Sequence, residues 1–172
     1  MLDRIWLILS FLGDYPFWIF ASFAIIGIRL FAKKKRFRKV RWLYTHMLPS
    51  VAISTAAAYI LKMFFKDPRI CIGSSLCPAT YGFPSMHSAA AFAFSVAALV
   101  YFRKSLGNSF KKDIEMLVAL SLLLLLSFLI AYSRLVLGFH TPDEVIAGSF
   151  LGIACSVVWC LVYEDIIEKR KI

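Results

Sequence analysis

Five predominantly apolar stretches divide this chain, at residues 15–32, 42–65, 86–102, 114–132 and 145–163. Each is close to the roughly 20 residues that a helix needs to cross a bilayer core. No water satisfies the backbone there, and hydrophobicity this continuous defaults to helices, whose hydrogen bonds close within the segment. Composition agrees: 60% of the 172 residues are hydrophobic, 17% are charged, and the mean hydropathy is +0.76. A soluble domain sits near half apolar and a quarter charged. Soluble enzymes, disordered chains, collagens, coiled coils and disulfide-stapled miniproteins are thereby excluded. The sequence predicts an all-α integral membrane protein, a single domain over 1–172 built as a bundle of five transmembrane helices. The first twelve residues are apolar but short, and read as an N-terminal interfacial helix or an extension of the first span. They lack the basic start and small-residue cleavage site of a signal peptide.

The net charge of +10 invites a nucleic-acid reading, but the placement of the cations argues otherwise. Fourteen of the twenty Lys and Arg residues fall in three clusters: 33–41, Arg103 to Lys112, and Lys169 to Lys171. Five spans put all three on one side of the membrane, which the positive-inside rule makes cytoplasmic. The clusters then act as topology signals that also meet anionic lipid, and no nucleic-acid partner is expected. The C-terminus should be cytoplasmic and the N-terminus outside.

The opposite face receives the loop 66–83 and the link 133–143, which hold most of the unusual chemistry. Cys71 and Cys77 lie six residues apart among Gly and Ser in the outer loop. In an oxidising compartment they form a disulfide, and otherwise they are two thiols. Cys155 and Cys160 read as small packing residues within the fifth span, and no Cys/His spacing resembles a zinc site.

Ionisable groups near a membrane are costly and need a reason. Lys62, Lys66 and Arg69 close the second span, and Gly82-Phe83-Pro84-Ser85-Met86-His87-Ser88 leads into the third. Ser133-Arg134 leaves the fourth, and His140-Thr141-Pro142-Asp143-Glu144 opens the fifth. Pro84 suits a first helical turn, which leaves backbone N–H groups around Ser85 to His87 as an anion site. Three cations, a hydroxyl donor and two imidazoles on one face are what phosphoryl transfer requires: donors for charged oxygens, a nucleophile, and an acid in line. Histidine titrates close enough to neutral pH for either task. No carboxylate cluster is present for divalent ions, so a metal-free, cofactor-free mechanism is expected. Blander readings exist for the parts. Lys62, Lys66 and Arg69 suit snorkelling at the surface, Thr141 to Glu144 suits a capping box, and His46 reads as structural. They do not explain why cations and two histidines share one face.

In order and spacing, Lys62 with Arg69, Pro84-Ser85-Met86-His87, and Ser133-Arg134 with His140 resemble the three signatures of the type 2 phosphatidic acid phosphatase superfamily, a family of membrane lipid phosphatases. The resemblance covers roughly residues 60–155. It implies His140 as nucleophile, His87 as general acid, and Lys62, Arg69, Ser85 and Arg134 as phosphate ligands, helped by backbone N–H groups near Met86. Where the family usually places an aspartate to orient the nucleophile, four residues after it, this chain has Glu144, preceded by Asp143. The family's usual Arg-Pro is here Arg69-Ile70, with Pro68 in front.

Compact size and short outer loops suggest a small bacterial inner-membrane enzyme whose pocket faces the periplasm, most like the lipid A 1-phosphatase branch. Phosphatidic acid, phosphatidylglycerophosphate and undecaprenyl pyrophosphate are the other substrate candidates. The sequence also admits a lipid phosphotransferase using the same residues, or an anion or lipid carrier that only binds. The partners it implies are a lipid phosphate and the surrounding membrane lipids, and no obligate protein partner is evident.

Overall fold

Proline and capping residues set the helix limits. The structure, a computed structural model, describes residues 2–14, 17, 18, 20, 27, 43–71, 77, 80–106 and 110–168. It contains α1 (Leu2–Leu12), α2 (Leu48–Phe65), α3 (Met86–Leu106), α4 (Phe110–Val136) and α5 (Pro142–Val162), with π-helical turns at Leu43–Met47 and Tyr163–Glu168. Pro49 lies in the first turn of α2, which stops where Lys66 turns left-handed (φ 51°) and donates its N–H to the Lys62 carbonyl. Thr141 caps α5 with extended dihedrals, and Pro142, which needs no N–H partner, follows in the first turn.

The expected span 15–32, the basic segment 33–41 and the last four residues lie wholly or largely outside the described residues. Among the described residues, Thr45–Phe65, Ile114–Val136 and Pro142–Asp165 are long and apolar enough to cross a bilayer. The span expected at 86–102 is helical as part of α3 (Met86–Leu106), and its described side chains carry an apolar run over Met86–Val100. α3 packs against α2, α4 and α5, so neighbouring helices cover much of it. Ala89, Ala90, Ala91, Ala93, Ala97 and Ala98 are all buried along it.

Lipid is as apolar as leucine, so these helices associate through close packing and hydrogen bonds rather than a hydrophobic force. Gly148 and Gly152 bring α5 against the backbone of the Ser85 to Ala89 segment. A Cβ at either would collide with the carbonyl oxygen of Ser85 or Ala89 respectively. Serines tie the other faces together. Ser95 and Ser127 meet at 2.7 Å, Ser127 donates to the Ala91 carbonyl, and Ser156 donates to Ala93. Leu117, Leu122, Phe128, Phe150, Val158 and Leu161 face outward, as befits a lipid-bathed surface.

Candidate active site

The end of α2, the starts of α3 and α5, and the end of α4 meet at one end of the bundle. Lys62 is buried there (1% exposed), with Nζ donating to the carbonyls of Tyr81 and Gly82 at 2.6 Å each. This excludes snorkelling for Lys62, and Arg69 is buried as well, whereas Lys66 is exposed. An ammonium has three donors, so one remains for a ligand. Arg69 is held by the Thr80 carbonyl through Nε and by the Thr80 hydroxyl through Nη2. Its Nη1 lies 3.0 Å from the Phe139 carbonyl and 3.1 Å from His140 Nε2.

His140 Nδ1 stands 2.5 Å from Glu144 Oε2, and the same oxygen accepts the Thr141 N–H at 3.1 Å. One carboxylate oxygen therefore caps α5 and orients the imidazole. Glu144 is buried, whereas Asp143 is exposed. The extra methylene relative to aspartate gives the side chain the reach for this contact. A donor at Nδ1 leaves the lone pair on Nε2, directed towards Arg69. Burial, then the charges of Arg69, Lys62 and Arg134, hold His140 below its ordinary value, so the ring is neutral at pH 7.

Arg134 is buried, stacks over the Phe139 ring at 4.6 Å, and donates through Nη1 to the Ser10 hydroxyl. Its Nε–H has no partner among the described residues. A buried, unmatched guanidinium donor is costly, and an anion would satisfy it.

One expectation needs correction. The Ser85 N–H does not point outward to an anion, because it donates to the Glu144 carbonyl at 2.9 Å. The helix begins at Met86 rather than at Pro84, so the available first-turn donors shift to Met86 and His87. Ser85 itself is fully buried, and its hydroxyl oxygen accepts from Ser88 at 3.1 Å.

His87 Nε2 lies 2.7 Å from Asp14 Oδ1, in the turn that ends α1. Neither Asp14 nor Ser10 was singled out by the motifs. A carboxylate just past the apolar run from Ile5 to Leu9 of the N-terminal helix was the available signal, by the same reasoning applied to Lys62. Cys71 and Cys77 are disulfide-bonded in the loop that carries Arg69. His46 sits in the π-helical turn before α2, at the opposite end of that helix from Lys62, buried against Tyr163. No group of three or more His, Cys, Asp or Glu residues placed to hold a metal occurs among the described residues.

Beside the cluster, α4 and α5 part around an apolar cleft of about 330 Å³, lined by Phe92, Ala131, Tyr132, Leu135, Val145 and Phe150 among others. Leu135 and Val145 are the sequence neighbours of Arg134 and Glu144, so the cleft adjoins the charged pocket.

The motifs, the helical bundle and the paired histidines define a class, and residues 43–168 match the family model of the PAP2 superfamily. The chain belongs to that superfamily, as a multi-pass membrane protein of its fold. Among its relatives, Dolichyldiphosphatase 1 of Dictyostelium discoideum is 35% identical over 116 residues, covering 67% of this chain and 50% of that protein. The Mus musculus protein of the same name is 32% identical over 125 residues, covering 70% and 52%. The chain thus spans about half the length of these curated relatives. Of solved structures, Aquifex aeolicus LpxE superposes with a TM-score of 0.63 at 25% identity, covering 93% of this chain and 86% of that one. The Bacillus subtilis phosphatidylglycerolphosphate phosphatase superposes with a TM-score of 0.73 at 20% identity, covering 96% and 78%, a likeness of fold.

Proposed function

We propose that this protein is a lipid phosphatase that removes a phosphate from a lipid head group through a phosphohistidine on His140. The observation that carries this reading is the Glu144–His140–Arg69 line. A buried carboxylate holds one ring nitrogen, the other presents its lone pair, and a guanidinium stands beside that lone pair. Lys62, Arg69, Arg134 and the first-turn N–H groups of α3 would hold the phosphate oxygens and stabilise the charge that builds on them. His140 Nε2 attacks phosphorus, and the bond to the lipid oxygen breaks. That oxygen's electron pair takes a proton from His87, releasing the dephosphorylated lipid. His87 then removes a proton from water, the hydroxide attacks phosphorus, and the N–P electron pair returns to His140. Neither step draws on a metal or cofactor.

The cleft between α4 and α5 supports a lipid substrate, since it offers the tail an apolar slot beside the charged pocket. The first head group we propose is lipid A 1-phosphate, on the likeness to LpxE. The matches to dolichyldiphosphatases favour a second reading, a polyprenyl diphosphate. The cation clusters support a site opening to the periplasmic face of a bacterial inner membrane, with the C-terminus cytoplasmic. The test is inorganic phosphate release from a panel of both lipids, phosphatidic acid and phosphatidylglycerophosphate, in detergent with EDTA. The wild type should release phosphate at an undiminished rate with the chelator, and His140→Ala should release none. Release that survives in His140→Ala, or that requires magnesium, would refute the mechanism. Turnover that depends on an added hydroxyl acceptor would identify a phosphotransferase instead.

A further inference from the structure

The phosphatase reading gives His87 a demanding task, and this inference rests on that reading. To release a lipid oxygen the ring must carry a second proton, yet its pocket is cationic. Arg134 and Arg69 both act on His87 unfavourably, and the His140 ring shares the pocket. Desolvation of a largely buried ring opposes the charge as well. An imidazolium here needs a counter-charge, and among the described residues that act on His87 only Asp14 supplies one.

We propose that Asp14 is the positioning residue of His87, its carboxylate standing 2.7 Å from Nε2 as an ion-pair partner and balancing its charge so that the ring delivers its other proton, from Nδ1, to the leaving oxygen. The pocket then contains two carboxylate–imidazole pairs with opposite tasks. Burial and the neighbouring cations keep His140 neutral while Glu144 aims it for attack, and Asp14 supplies the counter-charge for a charged His87 in proton delivery. After transfer, His87 is neutral with its remaining proton on Nε2, facing Asp14, and the attacking water's proton restores the charge.

The local build fits a positioning role. Gly13 and Asp14 form a turn closed by N–H bonds to the Ser10 and Phe11 carbonyls. Gly13 packs closely against the His87 side chain, where an added Cβ would come within 2.9 Å of His87 Cδ2 and 3.0 Å of Ile130 Cγ2. Ser10, one turn earlier, receives the Arg134 Nη1–H, so the same turn is tied to the cluster at two points. Burial alone would raise the Asp14 carboxyl, but the hydrogen bond and charge of His87, with Arg134 behind, outweigh it and lower it overall. Asp14 is therefore ionised at the pH where the ring must be charged.

The test compares wild type, Asp14→Asn and Asp14→Glu on two phosphomonoesters with the same dodecyl tail, one an alkyl phosphate and one a nitrophenyl phosphate. An alkoxide leaves only with a proton, whereas a nitrophenolate leaves without one, so only the first depends on the general acid. Asp14→Asn should lower kcat on the alkyl ester by about tenfold to a hundredfold, the lower reach of a general-acid contribution. On the aryl ester it should change kcat by less than about threefold, and the alkaline limb of the alkyl profile should move to lower pH. Asp14→Glu should recover part of the alkyl activity. Gly13→Ala, which lifts the turn off the ring without altering charge, should show the same selectivity between esters. An equal loss on both esters, or none on either, would overturn the proposal while leaving the His140 mechanism intact. Wild-type protein inactive on both esters and on the lipid panel would overturn the phosphatase reading, and this inference with it.

Discussion

Replacing Glu144 by glutamine removes a charge but leaves the shape of the site intact, and the structure sets the expected cost. Both hydrogen bonds to this side chain, from His140 Nδ1 and from the Thr141 N–H, end on the single oxygen Oε2. A glutamine that places its carbonyl there keeps both bonds and the tautomer, and loses the negative charge facing a ring that becomes cationic as it is phosphorylated. The difference between a charged and a neutral hydrogen bond is about 1–2 kcal/mol; 2 kcal/mol is about thirtyfold in kcat. Glu144→Ala strips both partners from buried donors at roughly 2 kcal/mol each, about a thousandfold together. The assay is single-turnover phosphate release in detergent, with circular dichroism to confirm that the helices are intact. The expected order is wild type, then Gln, then Ala, with Asp143→Asn at the wild-type rate because that side chain is exposed. A glutamine variant as slow as alanine would mean that the ring reverses its tautomer. A glutamine variant within twofold of wild type would mean that the carboxylate charge plays no part, and either result refutes the reasoning.

Gly148→Ala and Gly152→Ala should each destabilise the bundle by about 1–3 kcal/mol, the usual cost of overpacking, seen as a lower melting temperature in detergent. Only Gly148→Ala should also lower kcat sharply, because the carbonyl it strikes belongs to Ser85, whose N–H binds Glu144. Acid should destabilise the fold through His140. Its folded pKa lies below the unfolded value of about 6.5, so the unfolded chain binds the extra proton as the pH falls below that point. The associated stability is complete above about pH 6.5 and is lost below it at about 1.4 kcal/mol per pH unit. His140→Gln should flatten that slope in thermal melts between pH 5 and 8, and a slope equal to wild type would contradict the buried neutral ring.

The helices were legible because lipid imposes length and hydropathy on any segment it bathes, as at 114–132 and 145–163. The run at 86–102 was legible as a helix too, although a helix enclosed by other helices answers to packing and fills with alanine and serine. The paired histidines and three cations were legible because few residues other than functional ones justify charge at a membrane face. Choosing Glu144 over Asp143 required the helix, which turns one inward and the other out. The Ser85 N–H was misassigned because its acceptor, the Glu144 carbonyl, lies 59 positions away in the chain. Ser10 and Asp14 were missed because their partners are Arg134 and His87: a carboxylate after an apolar run marks Asp14 as unusual, but no local pattern names a partner across so much chain.

The close seat of α5 on α3 and the cleft between α5 and α4 divide the labour of the molecule. His87, His140 and Glu144 all ride on the tightly seated pair or its leading residue. Much of the cleft's outer wall, Phe128 and Tyr132 on α4 and Phe150 on the far side of α5, can be resized without disturbing them. On the proposed reading, substitutions that alter tail preference and substitutions that alter chemistry fall on separate surfaces. A lineage built on that plan would change which lipid it handles by drift along one wall, while the reaction itself is inherited unchanged.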